Sequence, residues 1–266
     1  SRALWQACQP AGHLLSLDVD PIELARTEAR LRTSGLSEDS FTTRRCNFAG
    51  LSKALAEQGW HEGVNVIFAD LGLSSMQIDN PARGFTFKVD GPLDMRMNPE
   101  RGVSAAQWLA DVSVMKLTTL LQENADEPNA ALLAEVLTKR ASQSPLNSTR
   151  ALAEAIKQAL PPRTSSDDVD ATVRRVFQAI RIAVNEEFSA LDSLMRAIPV
   201  ALNSGGRVAI LTFHSGEDRR VKKAFQEGLR SGVFSAVSDE VIRASMEEQR
   251  ANPRSSSAKL RWAVKA

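Results

Sequence analysis

The sequence is poor in the residues that build covalently linked or metal-held scaffolds. Its 266 residues include two cysteines, Cys8 and Cys46, without metal-ligand spacing, which disfavours a disulfide scaffold and a zinc site alike. The longest apolar runs fall far short of a membrane span, and no basic-then-apolar signal segment opens the chain. We therefore expect a soluble protein of the cytoplasm, or of the stroma or matrix of a bacterial-type organelle.

Two further absences argue against particular classes of function. The 33 basic and 32 acidic residues leave a net charge of +1, so the total charge does not indicate a general polyanion binder. A nucleic-acid partner would have to be held by local patches. Neither common glycine-rich phosphate loop occurs, and the nucleophile-elbow pattern of serine hydrolases is missing.

The most informative stretch runs from Asp70 to Asp79 and continues to Met97. The β-branched apolar run over 64–68 predicts a buried strand directly before it, so Asp70 stands where a parallel strand ends. In open α/β sheets, ligands bind at that edge. A loop that mixes glycine, serine, aspartate and proline with apolar residues is more often functional than structural.

The coarse pattern predicts an α/β fold with a helical insertion. Residues 1–73 repeat a β-α unit with strands over 14–17, 40–44 and 64–68, which indicates a parallel sheet. Residues 104–160 favour helix alone, with Ser104 and Ser148 as N-caps. The remaining predicted elements are a long helix over 171–197, a strand over 207–211, a helix over 213–228 and a last strand over 259–264.

Two aspartates at strand ends are the first candidates for chemistry. A carboxylate at the position of Asp18 accepts hydrogen bonds from ribose hydroxyls in nucleotide-binding folds; the alternative is a solvated Asp18 beside a helix N-cap at Asp20. Asp70 is placed to accept a hydrogen bond from a substrate amine, with Gln77 nearby in the loop. A turn or cap role is the alternative for this loop.

Aromatic and imidazole side chains supply the next candidates. Phe85 and Phe87 alternate with small residues in a polar loop, where they would stack on an unstacked base or form the apolar lid of the loop. His214 lies at a predicted strand-helix junction and could act as a base. The alternative is a purely structural junction in which Ser215 caps the helix.

Basic residues form two local groups near strand ends. The first group comprises Arg219, Arg220, Lys222 and Lys223, and the second includes Arg254, Lys259 and Arg261. Charge runs are usually solvated surface, but both positions are compatible with contacts to phosphates.

Six sequence blocks, which together span nearly the whole chain, point to a family. They are 70–75 (DLGLSS), 83–87 (RGFTF), 90–97 (DGPLDMRM), 177–186 (FQAIRIAVNE), 213–215 (FHS) and 252–261 (NPRSSSAKLR). In this order they resemble the bacterial 16S ribosomal RNA cytosine-N4 methyltransferases, the ribosomal small subunit methyltransferase H type. Each block alone is weak evidence, whereas chance agreement of all six is very improbable.

The resemblance implies a Rossmann-like class I methyltransferase sheet with a small inserted helical domain, and S-adenosylmethionine as the cofactor. It also implies methylation of the exocyclic N4 of a cytidine in the decoding region of 16S rRNA in the small ribosomal subunit. Matched by motif, Asp18 would hold the cofactor ribose, Phe48 would flank the adenine, and Asp70 and Gln77 would complete the pocket.

The implied domains are a discontinuous methyltransferase domain, 1–98 with 170–266, and an inserted helical domain, 99–169, for RNA recognition. Family members carry a first strand and a glycine-rich loop before the position that Ser1 matches. We expect both to lie outside residues 1–266, and residues 1–266 alone to bind the cofactor poorly. The sequence leaves the oligomeric state open, a homodimer included.

The chain departs from the family pattern at two places. Gly216 stands where leucine is usual, which we expect to loosen that helix start by up to about 1 kcal/mol. The segment over 123–133 lacks the usual charged helix start, which reduces the charge that the insertion presents to RNA.

The chain contains no tyrosine, and DLGLSS stands where DNA amino-methyltransferases carry a Pro-Pro-Tyr/Phe motif. We therefore expect Asp70 or a loop carbonyl to accept a hydrogen bond from N4, while Phe85 or Phe87 packs on the base. The alternatives are a non-catalytic relative that binds rRNA or a ribosomal partner, and a methyltransferase for another substrate.

Overall fold

The computed structural model describes residues 1–266 and divides into two compact units. The α/β unit comprises Ser1–Leu71 and Phe188–Ala266, and the helical unit comprises Gly72–Glu187. These boundaries differ from the expected 98/99 and 169/170 because the flanking segments pack with the helices. Leu93, Met95 and Phe177 are all buried in the core of the helical unit.

The α/β unit alternates strands and helices over its first 71 residues. Its elements there are α1 (Arg2–Cys8), β1 (Leu14–Asp18), α2 (Pro21–Thr33), β2 (Phe41–Arg45), α3 (Leu51–Glu57) and β3 (Val64–Asp70). Asp20 caps α2 by accepting from the backbone N–H groups of Ile22 and Glu23, and Pro21 occupies the first helical position. The predicted β-α repeat is confirmed. Cys8 lies exposed on α1.

The second part of the α/β unit completes its main sheet. Its elements are α10 (Glu187–Ala201), β4 (Leu202–Thr212), α11 (Ser215–Arg230), β5 (Phe234–Val237), β6 (Ile242–Arg243), α12 (Met246–Ala251) and β7 (Lys259–Lys265). Only Glu187, the first residue of α10, belongs to the helical unit. The elements between residues 234 and 251 are ones that the sequence did not predict.

The strands form two hydrogen-bonded ladders. β1 pairs with β2 in parallel, and a five-stranded sheet has the order β3-β4-β7-β5, with β6 on β7. β3 and β4 are parallel, whereas β7 is antiparallel to its neighbours. Ile67, Val208 and Ile210 lie in the core between this sheet and the apolar faces of α10 and α11. This mixed, partly parallel arrangement is the Rossmann-like α/β fold that was predicted.

The helical unit contains six α-helices. They are α4 (Ser75–Asp79), α5 (Ala105–Asp111), α6 (Val114–Ala125), α7 (Ala130–Gln143), α8 (Thr149–Ala159) and α9 (Ser166–Asn185). Ser104 and Ser148 are the N-caps of α5 and α8, as predicted. Leu121, Leu133, Leu152 and Ile156 are fully buried between the helices. None of the helices combines the length and the apolar composition that a membrane span requires.

One prediction about this region is wrong. The single long helix expected over 171–197 is two helices, because Glu186 adopts a left-handed conformation with φ of 51° between α9 and α10. Glutamate carries no sequence signal for such a break, since glycine or asparagine is usual there. The amphipathic pattern therefore continues across a real helix end.

Candidate functional site

In the α/β unit, an aspartate lies at the carboxyl end of each of two parallel-paired strands. Asp18 is the last residue of β1 and Asp70 is the last residue of β3, where it pairs in register with Leu211 of β4. β1 and β3 belong to different hydrogen-bonded ladders, and each aspartate lies at the carboxyl end of its strand, where α/β folds bind ligands.

Asp18 is held by the local backbone. Its Oδ1 accepts a hydrogen bond of 2.8 Å from the backbone N–H of Asp20. Burial raises the pKa of the Asp18 carboxyl above its ordinary value, hydrogen bonds from backbone amides oppose the shift, and the charges of Asp20 and Glu23 add to it. An acceptor-only group fixed at a strand end is suited to binding hydroxyl groups.

Asp70 is exposed at the end of β3. The surrounding protein nevertheless displaces enough water to raise the pKa of its carboxyl, and the charge of Glu217 adds to this shift. A carboxylate that is both accessible and more basic than usual is a better proton acceptor.

His214 lies just after β4, as predicted, but it is enclosed by its neighbours. Its two ring nitrogens are buried without a hydrogen-bond partner, and Nε2 lies 3.4 Å from Oε1 of Glu217. Glu217 is itself buried, and its Oε2 accepts from the backbone N–H of Phe213 at 2.9 Å. The ring of Phe188 packs against the imidazole with 5.7 Å between ring centroids.

Gly216 explains how this packing is possible. A Cβ at this position would lie 2.6 Å from Cζ of Phe188 and 3.2 Å from Nδ1 of His214. Glycine was expected to loosen the helix start. In the structure it instead admits the Phe188 ring, which is also stacked under Arg220 with the guanidinium carbon 3.8 Å from the ring centroid.

Phe48 and Asn47 lie between β2 and α3. Asn47 caps a short 3₁₀ helix, Phe48–Gly50, by accepting from the backbone N–H of Ala49, and Phe48 packs at the margin of the sheet core. Its ring is half-buried, so one part remains available to a ligand.

The loop residues predicted for the site belong to the helical unit. Gln77 is buried and forms a capping box with Ser74, whose backbone N–H donates to Oε1 of Gln77 at 2.8 Å. Phe85 and Phe87 are half-buried against the helical core, and Phe87 makes an edge contact with Phe177 at 5.1 Å between centroids. These contacts are those of the cap and lid alternatives.

Asn185 and Arg83 hold the 90–97 loop through hydrogen bonds that the sequence does not predict. Asn185 donates to the carbonyl of Met95 and accepts from the N–H of Met97, both at 2.7 Å. Buried Arg83 donates to the carbonyls of Arg96 and Met97 at 3.0 and 2.8 Å. Asn185 and Arg83 lie in blocks that had been recognised, but the sequence holds no signal that links positions about 90 residues apart.

The basic residues near the strand ends differ in their exposure and in their partners. Arg219 is exposed on α11, Arg254 is exposed on the 3₁₀ helix Pro253–Ser257, and Lys259 is half-buried on β7. Arg261 forms a buried ion pair with Asp218, with 2.7 Å between Nε and Oδ1. That pair ties β7 to α11 and leaves Arg261 no role in binding a ligand.

The fold and the carboxylates at its strand ends define a Rossmann-like protein of the methyltransferase class. A model of the MraW methylase family matches residues 1–266, and the chain belongs to that family. It is 44% identical over its whole length to the ribosomal RNA small subunit methyltransferase H 1 of Lachnoclostridium phytofermentans, covering 73% of that protein.

Two further relatives give the same picture. The ribosomal RNA small subunit methyltransferase H 2 of Alkaliphilus metalliredigens is 47% identical over 96% of the chain and 73% of its own length. The H 1 protein of Agathobacter rectalis is 46% identical over the whole chain and 76% of its own length.

Proposed function

We propose that this protein transfers a methyl group from S-adenosylmethionine to the exocyclic N4 of a cytidine in the decoding region of 16S rRNA. The relatives' names support small-subunit rRNA as the substrate. The observation that carries the chemistry is Asp70, an exposed carboxylate of raised pKa at the ligand-binding edge.

The residues at that edge fit the proposed cofactor. Asp18 is an acceptor-only group in position for ribose hydroxyls, Phe48 offers an apolar ring face for adenine, and Asp70 completes the polar lining. We keep Gln77 in the proposed cofactor pocket because the family resemblance places it there. Its Oε1 already accepts a hydrogen bond from the backbone N–H of Ser74. When bound, S-adenosylmethionine supplies an electrophilic methyl group on a sulfonium.

The chain's own residues must activate a weak nucleophile. The lone pair of the N4 amine is delocalised into the cytosine ring, so an acceptor that takes a hydrogen bond from the amine raises its reactivity. We assign this role to Asp70, which would also receive the proton that N4 loses as the N–C bond forms and the bond between the methyl carbon and the sulfonium sulfur breaks, its electron pair staying on sulfur. Phe85 or Phe87 would pack on the base, and His214 would act as the base only if Phe188 moved away from its ring.

We further propose that the helical unit, with the expected insertion 99–169 at its centre, contacts the RNA, and that Arg219, Arg254 and Lys259 contact phosphates. The partner is then the small ribosomal subunit or its rRNA, in the cytoplasm or a bacterial-type organelle. The alternatives are a non-catalytic relative that binds rRNA or a ribosomal partner, and a methyltransferase for another substrate.

The test is nucleoside mass spectrometry of 16S rRNA from cells that lack the protein, complemented with wild type or with Asp70→Asn. We expect N4-methylcytidine to vanish in the deletion and to return only with wild type, with methylation by the variant slowed at least about 100-fold. The control is Asp239→Asn in an exposed loop, which should restore methylation fully. Unchanged N4-methylcytidine in the deletion strain would refute the proposal.

A further inference from the structure

The outer face of α11 is a basic stripe, of which the proposed site uses Arg219 alone. At about 100° per residue, Arg219, Lys222, Lys223, Gln226 and Arg230 fall within an arc of about 100°. All five side chains are exposed. Three of the buried residues of the same helix, Val221, Phe225 and Gly228, lie on the opposite side. No acidic residue lies within the arc, and the exposed acid of the helix, Glu227, lies about 40° outside it.

Most of these charges are free for an external partner. Lys222, Lys223 and Arg230 form no ion pair, whereas the neighbouring cations off the stripe are engaged within the protein. Arg220 lies 3.6 Å from Asp192 and over the ring of Phe188, and Arg261 is paired with Asp218. The folded structure therefore separates the cations that stabilise the α/β unit from those that face solvent.

The two units differ in charge. The helical unit carries 13 lysines and arginines against 15 aspartates and glutamates, a net charge of −2, and the α/β unit carries 20 against 17, a net charge of +3. On α7 and α8, exposed cations alternate with acids one turn away, as Glu135 with Lys139 and Arg150 with Glu154. Such faces are electrostatically mixed and attract a polyanion weakly.

We propose that the basic stripe on α11 is the main phosphate-binding surface for the RNA substrate. This inference rests on the proposed function, since it needs an RNA partner. α11 starts immediately after β4, the strand paired with the one that ends in Asp70, so the stripe starts at the ligand-binding edge. The 16-residue helix is about 24 Å long, which allows it to contact several phosphates in succession. The helical unit would then contribute shape or base contacts with little phosphate attraction.

The experiment compares two double variants that remove equal charge from exposed helix positions. The first is Lys222→Gln with Lys223→Gln on the stripe, and the matched control is Lys139→Gln with Lys157→Gln on α7 and α8. Binding of a fluorescein-labelled RNA from the decoding region is followed by anisotropy between about 50 and 200 mM salt. Circular dichroism checks that both variants fold.

We expect the stripe variant to bind about 10-fold more weakly near 0.1 M salt, with the slope of log affinity against log salt reduced by about 1.5. The control variant should change affinity less than about 2-fold. Equal losses in both variants, or a larger loss in the control, would overturn the inference and leave the proposed function standing. A wild-type chain that does not bind the RNA would overturn both. RNA binding through the stripe without methylation would overturn the proposed function alone.

Discussion

The two units of this protein satisfy their buried groups in different ways. In the helical unit, buried polar groups are paired, as Arg181 is with Glu187 by two hydrogen bonds of 2.8 and 2.9 Å. The buried side-chain atoms that lack a hydrogen-bond partner lie on Glu23, Gln58 and His214, all of them in the α/β unit. Unsatisfied buried groups destabilise a fold and concentrate where function requires them. Of these three residues, His214 is a candidate site residue, so the unsatisfied groups of the α/β unit include part of the candidate site.

Truncation of the helical core should have the largest effect. Leu133→Ala removes a fully buried side chain from α7 and leaves a cavity, so we expect the free energy of unfolding of the helical unit to fall by about 2–5 kcal/mol. Hydrogen-deuterium exchange of the α7 peptides measures this change. The matched control is Leu132→Ala, since Leu132 is 39% exposed and its truncation should cost less than about 1 kcal/mol. Equal losses at the two positions would show that this core is not closely packed.

Restoring a side chain at Gly216 should have the next largest effect. Gly216→Leu forces the new side chain against Phe188 and His214, and overpacking of this kind costs about 1–3 kcal/mol. Thermal denaturation measures the loss. The double variant with Phe188→Leu should recover most of it, because the smaller side chain vacates the space that glycine leaves.

A double variant no more stable than Gly216→Leu alone would show that the contact with His214, and not the one with Phe188, requires glycine. The same pair tests the enclosed state of the imidazole. With Phe188→Leu alone, we expect the His214 ring to become more reactive towards diethyl pyrocarbonate.

The elements that the sequence predicted are those specified by local signals. Serine N-caps, a proline at a helix start and β-branched runs are readable within a few residues, and they placed α5, α8, α2 and β3. β5 is short, carries no such pattern and is stabilised by pairing with β7. α12 does begin at a serine N-cap, Ser245, but this signal was not used to predict the helix. The strand ends were readable for the same local reason, which is why Asp18 and Asp70 were located correctly on their strands.

Contacts between distant residues were not readable. The helical unit begins at Gly72 and not at the expected residue 99. One reason is that Asn185 forms hydrogen bonds with residues 88 and 90 positions earlier, which hold the 90–97 loop in that unit. The enclosure of His214 depends on a phenylalanine 26 positions before it and on the missing Cβ of Gly216. Sequence patterns report the periodicity of one element, whereas these contacts depend on how elements meet.

Neutralising Asp70 should have a smaller effect on stability, of opposite sign to the core variants. Because its pKa is raised in the folded protein, the native state binds protons more tightly than the unfolded chain, and stability falls as pH rises from about 3.8 through the folded pKa. Asp70→Asn removes a charged group that folding desolvates, so the variant should melt above wild type at pH 7. The difference should shrink as the pH falls below about 4, where both side chains are neutral.

Thermal melts across this pH range measure the effect, with Asp239→Asn as the exposed control. An Asp70→Asn variant that melts below wild type at pH 7 would show that the carboxylate stabilises the fold, and would argue against a residue maintained for chemistry.

The smallest effect should come from the outer face of the main sheet, where the contrast between the units is sharpest. Val66 on β3 is 52% exposed, whereas Val208 on the adjacent β4 is fully buried. Valine to threonine preserves shape and replaces one methyl group with a hydroxyl, so the same substitution separates burial from strand propensity. We expect Val66→Thr to change the free energy of unfolding by no more than about 0.5 kcal/mol, and Val208→Thr to lower it by about 1–3 kcal/mol. Urea denaturation followed by circular dichroism measures both. A loss at Val66 as large as at Val208 would mean that a partner covers the outer face in solution, and the sheet would then be as closed as the helical core.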